Sequence, residues 1–161
     1  MRRLMALGAL LAVGLTMVSP ANSQSSAQLT IARLGINDRP IGIGNTMLGG
    51  GPVWWSGITG RPGQGGPMAI AGHDVTPVPG FGAHGPFYHL DRMKKNDIIQ
   101  VTWRGKLYRY RVTATQVLPE SDHVMIRDLG FESLTLSTCW PRNTHTKRYL
   151  VRSVLISSSK L

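Results

Sequence analysis

The chain has 161 residues, a formal net charge of +10 and 42% hydrophobic residues, a size that suits one domain with a real core. One cysteine, and acids scattered singly apart from Glu120 and Asp122, argue against a disulfide-stapled scaffold, a zinc centre or a calcium cage, so no metal and no cofactor is expected. The basic balance favours anionic surroundings and names no ligand.

Arg2 and Arg3 precede an apolar run, Leu4–Val18, and then the small residues Ala21 and Ser23. That is the pattern of a secretory leader over residues 1–23, cut after Ser23 or kept as a short membrane anchor. The run has 15 residues, fewer than the roughly 20 that a membrane span usually needs. Removing it takes two of the 18 basic residues and none of the 8 acids, leaving +8. In an exported protein that charge points to an anionic wall polymer or membrane surface rather than to nucleic acid.

Residues 24–28 read as a polar linker, and 29–161 as the folded domain. Leu29–Ile36 alternates as a first strand and Pro40–Ile43 forms a second. Asn45–Gly66 is glycine-rich and broken by Pro52 and Pro62, which predicts a loop anchored by Val53, Trp54 and Trp55. Pro67–Ala71 is a short buried strand that runs into Gly72-His73-Asp74. After the insertion Thr76–Gly85, Pro86–Met93 predicts one helical turn. Asp97–Trp103 and Lys106–Val117 alternate as strands joined at Arg104-Gly105, a hairpin signal. Pro119–Gly130 is a polar connection with a helical turn at Val124–Leu129, and Arg148–Ile156 is a last strand. Seven or eight short strands without a sustained helical period predict an all-β fold, a closed barrel or a sandwich.

The stretch Ser133–Pro141, SLTLSTCWP, carries the most chemistry. Its period of two predicts a strand with one face in the core, stopped near Trp140 because Pro141 has no N–H to donate. Cys139 stands at that end. A free cysteine is most often a small buried hydrophobe, but an exported thiol with no partner in the chain is also a candidate nucleophile. Such a thiol needs a base or a neighbouring cation, and something to stabilise an oxyanion.

His73, in a Gly-His-Asp turn at the end of a buried strand, suits the base, although a turn histidine capped by Asp74 fits the same pattern. His145, in the loop after Cys139, is its rival; His84, His89 and His123 read as structural or solvated. Arg148 opens the last strand nine residues after Cys139. A short loop between neighbouring strands would bring its fixed charge to the thiol, where it could hold a carbonyl or an oxyanion. Arg142, Lys147 and Arg152 are alternative cations.

These residues resemble the sortases, exported cysteine transpeptidases that attach proteins to bacterial cell walls or build pili. The family's Thr-Leu-x-Thr-Cys signature is matched by Thr135-Leu136-Ser137-Thr138-Cys139. Its Ala-Gly-His segment is matched by Ala71-Gly72-His73, and its arginine at the start of the final strand by Arg148. The order agrees as well, with the cysteine 66 residues after the histidine. The resemblance spans residues 29–157. The loop after His73 is longer than the family's usual one, and the short Cys139–Arg148 loop is nearest to class E or F.

The resemblance implies an eight-stranded, closed sortase β-barrel with short helical turns in its loops. It implies catalytic Cys139, His73 and Arg148, with Thr138 and Trp140 binding substrate. Cleavage would fall at the Thr–Gly bond of an LPxTG- or LAxTG-like sorting signal, through a thioester. The implied partners are sorting-signal-bearing surface proteins or pilins, with a peptidoglycan precursor or a lysine amine as acceptor, at the outer face of the membrane or in the wall. Cysteine L,D-transpeptidases resemble it less, because Ser137 stands where they carry histidine. The non-enzymatic alternative is an exported basic β-barrel that binds anionic wall polymer, with Cys139 as a structural residue.

Overall fold

The computed structural model describes residues 27–43, 51–54, 59–75, 84–122 and 127–161. The leader over 1–23, most of the linker, Trp55, the body of the Thr76–Gly85 insertion, His123 and the start of the Val124–Leu129 turn lie outside the described residues. The strands are β1 (Gln28–Ile31), β2 (Ile36–Pro40), β3 (Gly42–Ile43), β4 (Val53–Trp54), β5 (Pro67–Ala71), β6 (Ile98–Trp103), β7 (Lys106–Pro119), β8 (Ser133–Trp140) and β9 (Lys147–Lys160). They form one sheet in the order β2-β1-β6-β7-β9-β8-β5-β4-β3. Pairing is antiparallel except for β5 with β8 and β3 with β4, which are parallel.

Alternation builds the core. In β6 the inward residues are Ile99, Val101 and Trp103, and across the ladder they meet Tyr110, Tyr108 and Lys106 in register. The hairpin turns at Arg104 and Gly105, both at positive φ (48 and 70°), as a tight two-residue loop requires. Tyr110, Phe87, Leu29, Ile31, Met68, Ile70, Leu134 and Leu136 are fully buried. Trp54 closes one end with its ring edge-on to Trp103, centroids 5.5 Å apart.

The closed eight-stranded barrel with helical turns is corrected by these ladders. The sheet is curled but open, with β2 and β3 at its two ends and no ladder joining them among the described residues. The two are separated only by Ile41, whose N–H donates to the Ala27 carbonyl at 2.7 Å. Pro40 has no N–H and Gly42 no side chain, so the run breaks there. β3 and β4, at two residues each, are too short to complete a wall. The helical content among the described residues is two three-residue 3-10 turns, Ala32–Leu34 and Leu90–Arg92. The first of these interrupts the strand expected over Leu29–Ile36. It ends on Gly35 at φ 66°, and the chain reverses to pair β2 back on β1.

Two strands outrun the expected boundaries. A register shift between Val112 and Ala114 bends β7, as bulges do, and beyond it β7 and β9 continue as a ribbon with Leu118 opposite Arg148 and Pro119 opposite Lys147. Residues 113–117 are exposed. This arm carries Glu120 to the start of β9.

A carboxylate ties the loop before β5 to the sheet. Glu132 accepts from the N–H groups of Gly63 (2.9 and 3.0 Å) and Gly65 (3.1 Å), and from the buried Tyr110 hydroxyl at 2.7 Å. Burial and the adjacent Glu132 carboxylate hold Tyr110 protonated. Replacing Glu132 by alanine removes the partner of three donors and is expected to cost about 2–3 kcal/mol, whereas Tyr110→Phe costs about 1 kcal/mol. Urea unfolding of the two variants measures the difference; equal and negligible losses would show that water replaces the carboxylate.

Candidate active site

β8 lies between β5 and β9, and β9 begins where β5 and β8 end. Cys139 is directly opposite Arg148 in the β8–β9 ladder, and Ala71 opposite Ser137 in the β5–β8 ladder. Side chains of Leu134 and Leu136 go to the core, so Ser137 and Cys139 face the other way. Ala71, Gly72, His73, Ser137, Thr138, Cys139 and Arg148 together line a pocket of about 250 Å³. Trp140 does not line it; its ring packs against Tyr149, centroids 5.4 Å apart.

The exit of β5 is held by two close approaches. A Cβ on Gly72 would sit 2.7 Å from the Phe87 ring, and one on Gly85 2.3 Å from the His73 carbonyl oxygen. Only glycine lets both segments pack so tightly beside His73. Gly72 N–H donates to the Ser137 carbonyl at 3.0 Å and Phe87 N–H to the His73 carbonyl at 3.0 Å. Thr138 is buried, and its hydroxyl donates to the Gly72 carbonyl at 2.8 Å. The threonine before the cysteine therefore locks β8 to the histidine segment.

Asp74 is buried, and no hydrogen bond joins its carboxylate to His73 among the described residues. Its carboxylate accepts from the Asn143 N–H at 2.6 Å, with Asn143 at φ 61°, and so ties the loop after Cys139 to the exit of β5. Arg142 anchors the same loop. Its guanidinium donates to the Tyr88 carbonyl at 3.0 Å and pairs with Asp91 at 2.6 Å, and it lies over the Tyr88 and Trp140 rings. Arg142 is thereby committed to structure. His84 stacks on Tyr88 at 3.6 Å and His89 lies edge-on to the same ring, apart from the pocket.

The thiol touches the second histidine. Cys139 Sγ lies 3.6 Å from His145 Nδ1, and no hydrogen bond joins Cys139 to the His73 ring among the described residues. Arg148 donates to the carbonyls of His145 (3.2 Å) and Lys147 (3.1 Å) and forms an ion pair with Glu120. Burial pushes the thiol up from its ordinary range; Arg148 pulls it down, and the Asp74 and Glu120 carboxylates push it up again. The contribution of Glu120 had no sequence signal, because it depends on how far the β7–β9 ribbon extends past the bulge. No three His, Cys, Asp or Glu side chains come together as metal ligands among the described residues.

The curled sheet thus presents a free thiol beside an arginine and a histidine where β5, β8 and β9 meet. The model of the sortase domain matches residues 29–156, and the chain belongs to the sortase family. Solved structures agree. Sortase A of Corynebacterium diphtheriae, as a lid mutant, is 25% identical with a TM-score of 0.68, over 82% of this chain and 70% of that one. Sortase C-1 of Actinomyces oris is 25% identical with a TM-score of 0.68, over 81% and 73%. The sortase D5 transpeptidase of Clostridium perfringens is 25% identical with a TM-score of 0.68, over 82% and 79%. No curated protein matches the chain.

Because the Glu120 carboxylate disfavours a thiolate at Cys139, removing it lowers the thiol pKa and raises the thiolate fraction at a given pH. Glu120→Gln is expected to speed alkylation of Cys139 by iodoacetamide at pH 7 by about twofold or more. An unchanged or slower rate would mean that solvent already screens Glu120.

Proposed function

We propose that the protein is a sortase-type cysteine transpeptidase. Its substrate is the C-terminal sorting signal of an exported protein, of LPxTG or LAxTG type. The observation that carries this reading is Cys139 facing Arg148 across the β8–β9 ladder, in a pocket that His73 also lines. Family membership supports the reaction class.

In this reading the Cys139 thiolate attacks the carbonyl carbon of the Thr–Gly bond, and the charge that develops on oxygen is met by the Arg148 guanidinium. His73 protonates the departing glycine amine as the bond breaks. The thioester left on Cys139 is then resolved by an amine of a peptidoglycan precursor or a pilin lysine. Thr138, which lines the pocket, is assigned to substrate contact, as is Trp140, the residue after the thiol, whose ring lies outside the pocket against Tyr149. The short Cys139–Arg148 loop supports placing the chain nearest to class E or F. The leader pattern over residues 1–23 supports action at the outer face of the membrane or in the wall, where the basic surface would meet anionic polymer.

Mass spectrometry of the full chain with a panel of sorting-signal peptides and an amine tests the reading. A Cys139 acyl adduct, Thr–Gly cleavage and an amide product are expected. Cys139→Ala should abolish all three; retained transpeptidation in that variant would sink the assignment. His73→Ala and Arg148→Lys should each lower turnover by about 10²-fold or more.

A further inference from the structure

We propose that His145 is the base that takes the proton of the Cys139 thiol, a role separate from that of His73. The inference rests on Cys139 being the nucleophile. Of the two histidines near the site, His145 is the one whose ring nitrogen contacts sulfur, at 3.6 Å, within reach of a sulfur hydrogen bond. With the ring proton on Nε2, Nδ1 is an acceptor. The Sγ–H bond breaks, its electron pair stays on sulfur, and the proton moves to Nδ1. A neutral pair becomes thiolate and imidazolium with no change in net charge.

The loop that presents His145 is fixed on both sides of it. Upstream, Asp74 holds the Asn143 N–H at 2.6 Å, and Arg142 holds Tyr88 and Asp91. Within the loop, the Thr144 N–H and hydroxyl both donate to the Pro141 carbonyl. Downstream, Arg148 donates to the carbonyl of His145 itself at 3.2 Å. The backbone that carries the imidazole is therefore held by four side chains from three parts of the fold.

The surroundings leave work for a base. The titratable and charged groups near sulfur are Arg148 on β9 with Lys147 beside it, His73 and Asp74 at the exit of β5, Glu120 beyond β7, and His145. Burial opposes ionisation of the thiol, and Arg148 favours it against two carboxylates that do not. With His145 assigned to the thiol, His73 is free to serve the leaving amine, and one imidazole need not do both tasks.

The test is the pH dependence of Cys139 alkylation by iodoacetamide, a neutral reagent, in the full chain, for wild type, His145→Gln, His73→Gln and the surface control His84→Gln. His145 is exposed, and circular dichroism checks each fold. In His145→Gln the rate at pH 7 is expected to fall about tenfold and its half-maximum to move to higher pH, with His84→Gln unchanged. An unchanged profile in His145→Gln, or a larger drop in His73→Gln than in His145→Gln, overturns the inference and leaves the transpeptidase reading intact. A shifted profile without acyl transfer to any sorting peptide supports the inference and counts against that reading. A wild-type thiol that resists alkylation overturns both.

Discussion

The pairing of β8 with β5 on one side and β9 on the other is the constraint on which the site depends. A strand held on both edges cannot slide without breaking two ladders, and a slip of one residue would turn Cys139 into the core and Thr138 out of it. Leu134 and Leu136, both fully buried, fix that choice of face. Once register is set, Cys139 stands opposite Arg148 and the exit of β5 follows alongside. Pro141 ends β8 immediately afterwards, and the thiol lies at the rim rather than within the wall.

The electrostatics follow from the same geometry. The end of a strand is where loops converge, and each loop here brings a charge. The exit of β5 brings Asp74, the arm beyond the β7 bulge brings Glu120, and the turn into β9 brings Arg148. Asp74 is mainly a structural acceptor for Asn143, and its cost to the thiolate is a by-product of holding the loop. The site is thus a compromise in which carboxylates that hold a loop and an arginine oppose ionisation of the thiol.

Much of this was legible in the sequence. The alternation in SLTLSTCWP gave β8 and its end, the Arg104-Gly105 hairpin was placed correctly, and the Thr-Leu-Ser-Thr-Cys and Ala-Gly-His segments came to one pocket. What failed did so for reasons that local patterns do not carry. Closure of the barrel depends on whether β2 and β3, separated by Ile41, can share a ladder, and alternation in Pro40–Ile43 does not report that. The reach of β7 to Pro119 and of β9 to Lys160 comes from their pairing with each other, and the exposed polar residues 157–160 give no apolar alternation to signal it. Asp74 read as a cap for its neighbour, because its partner Asn143 lies 69 residues away. The sequence patterns favour His73 over its rival His145, whereas His145 is the one that contacts the thiol, because loop anchoring by Arg142 and Asp74 is a tertiary property.

The Arg148–Glu120 pair bears on how the site can be both ordered and available. Glu120 has 57% of its side chain exposed and Arg148 only 21%. A pair with one partner largely in water contributes about 1 kcal/mol or less, so releasing the carboxylate costs little. The guanidinium is meanwhile held by the His145 and Lys147 carbonyls, which are backbone groups of its own turn and do not depend on Glu120. Orientation of Arg148 therefore comes from the backbone and its occupancy from an exposed carboxylate. The two anchors are separate because the carbonyls are met by Nη1 and Glu120 by Nη2, on a side chain that stands opposite Cys139 in the ladder.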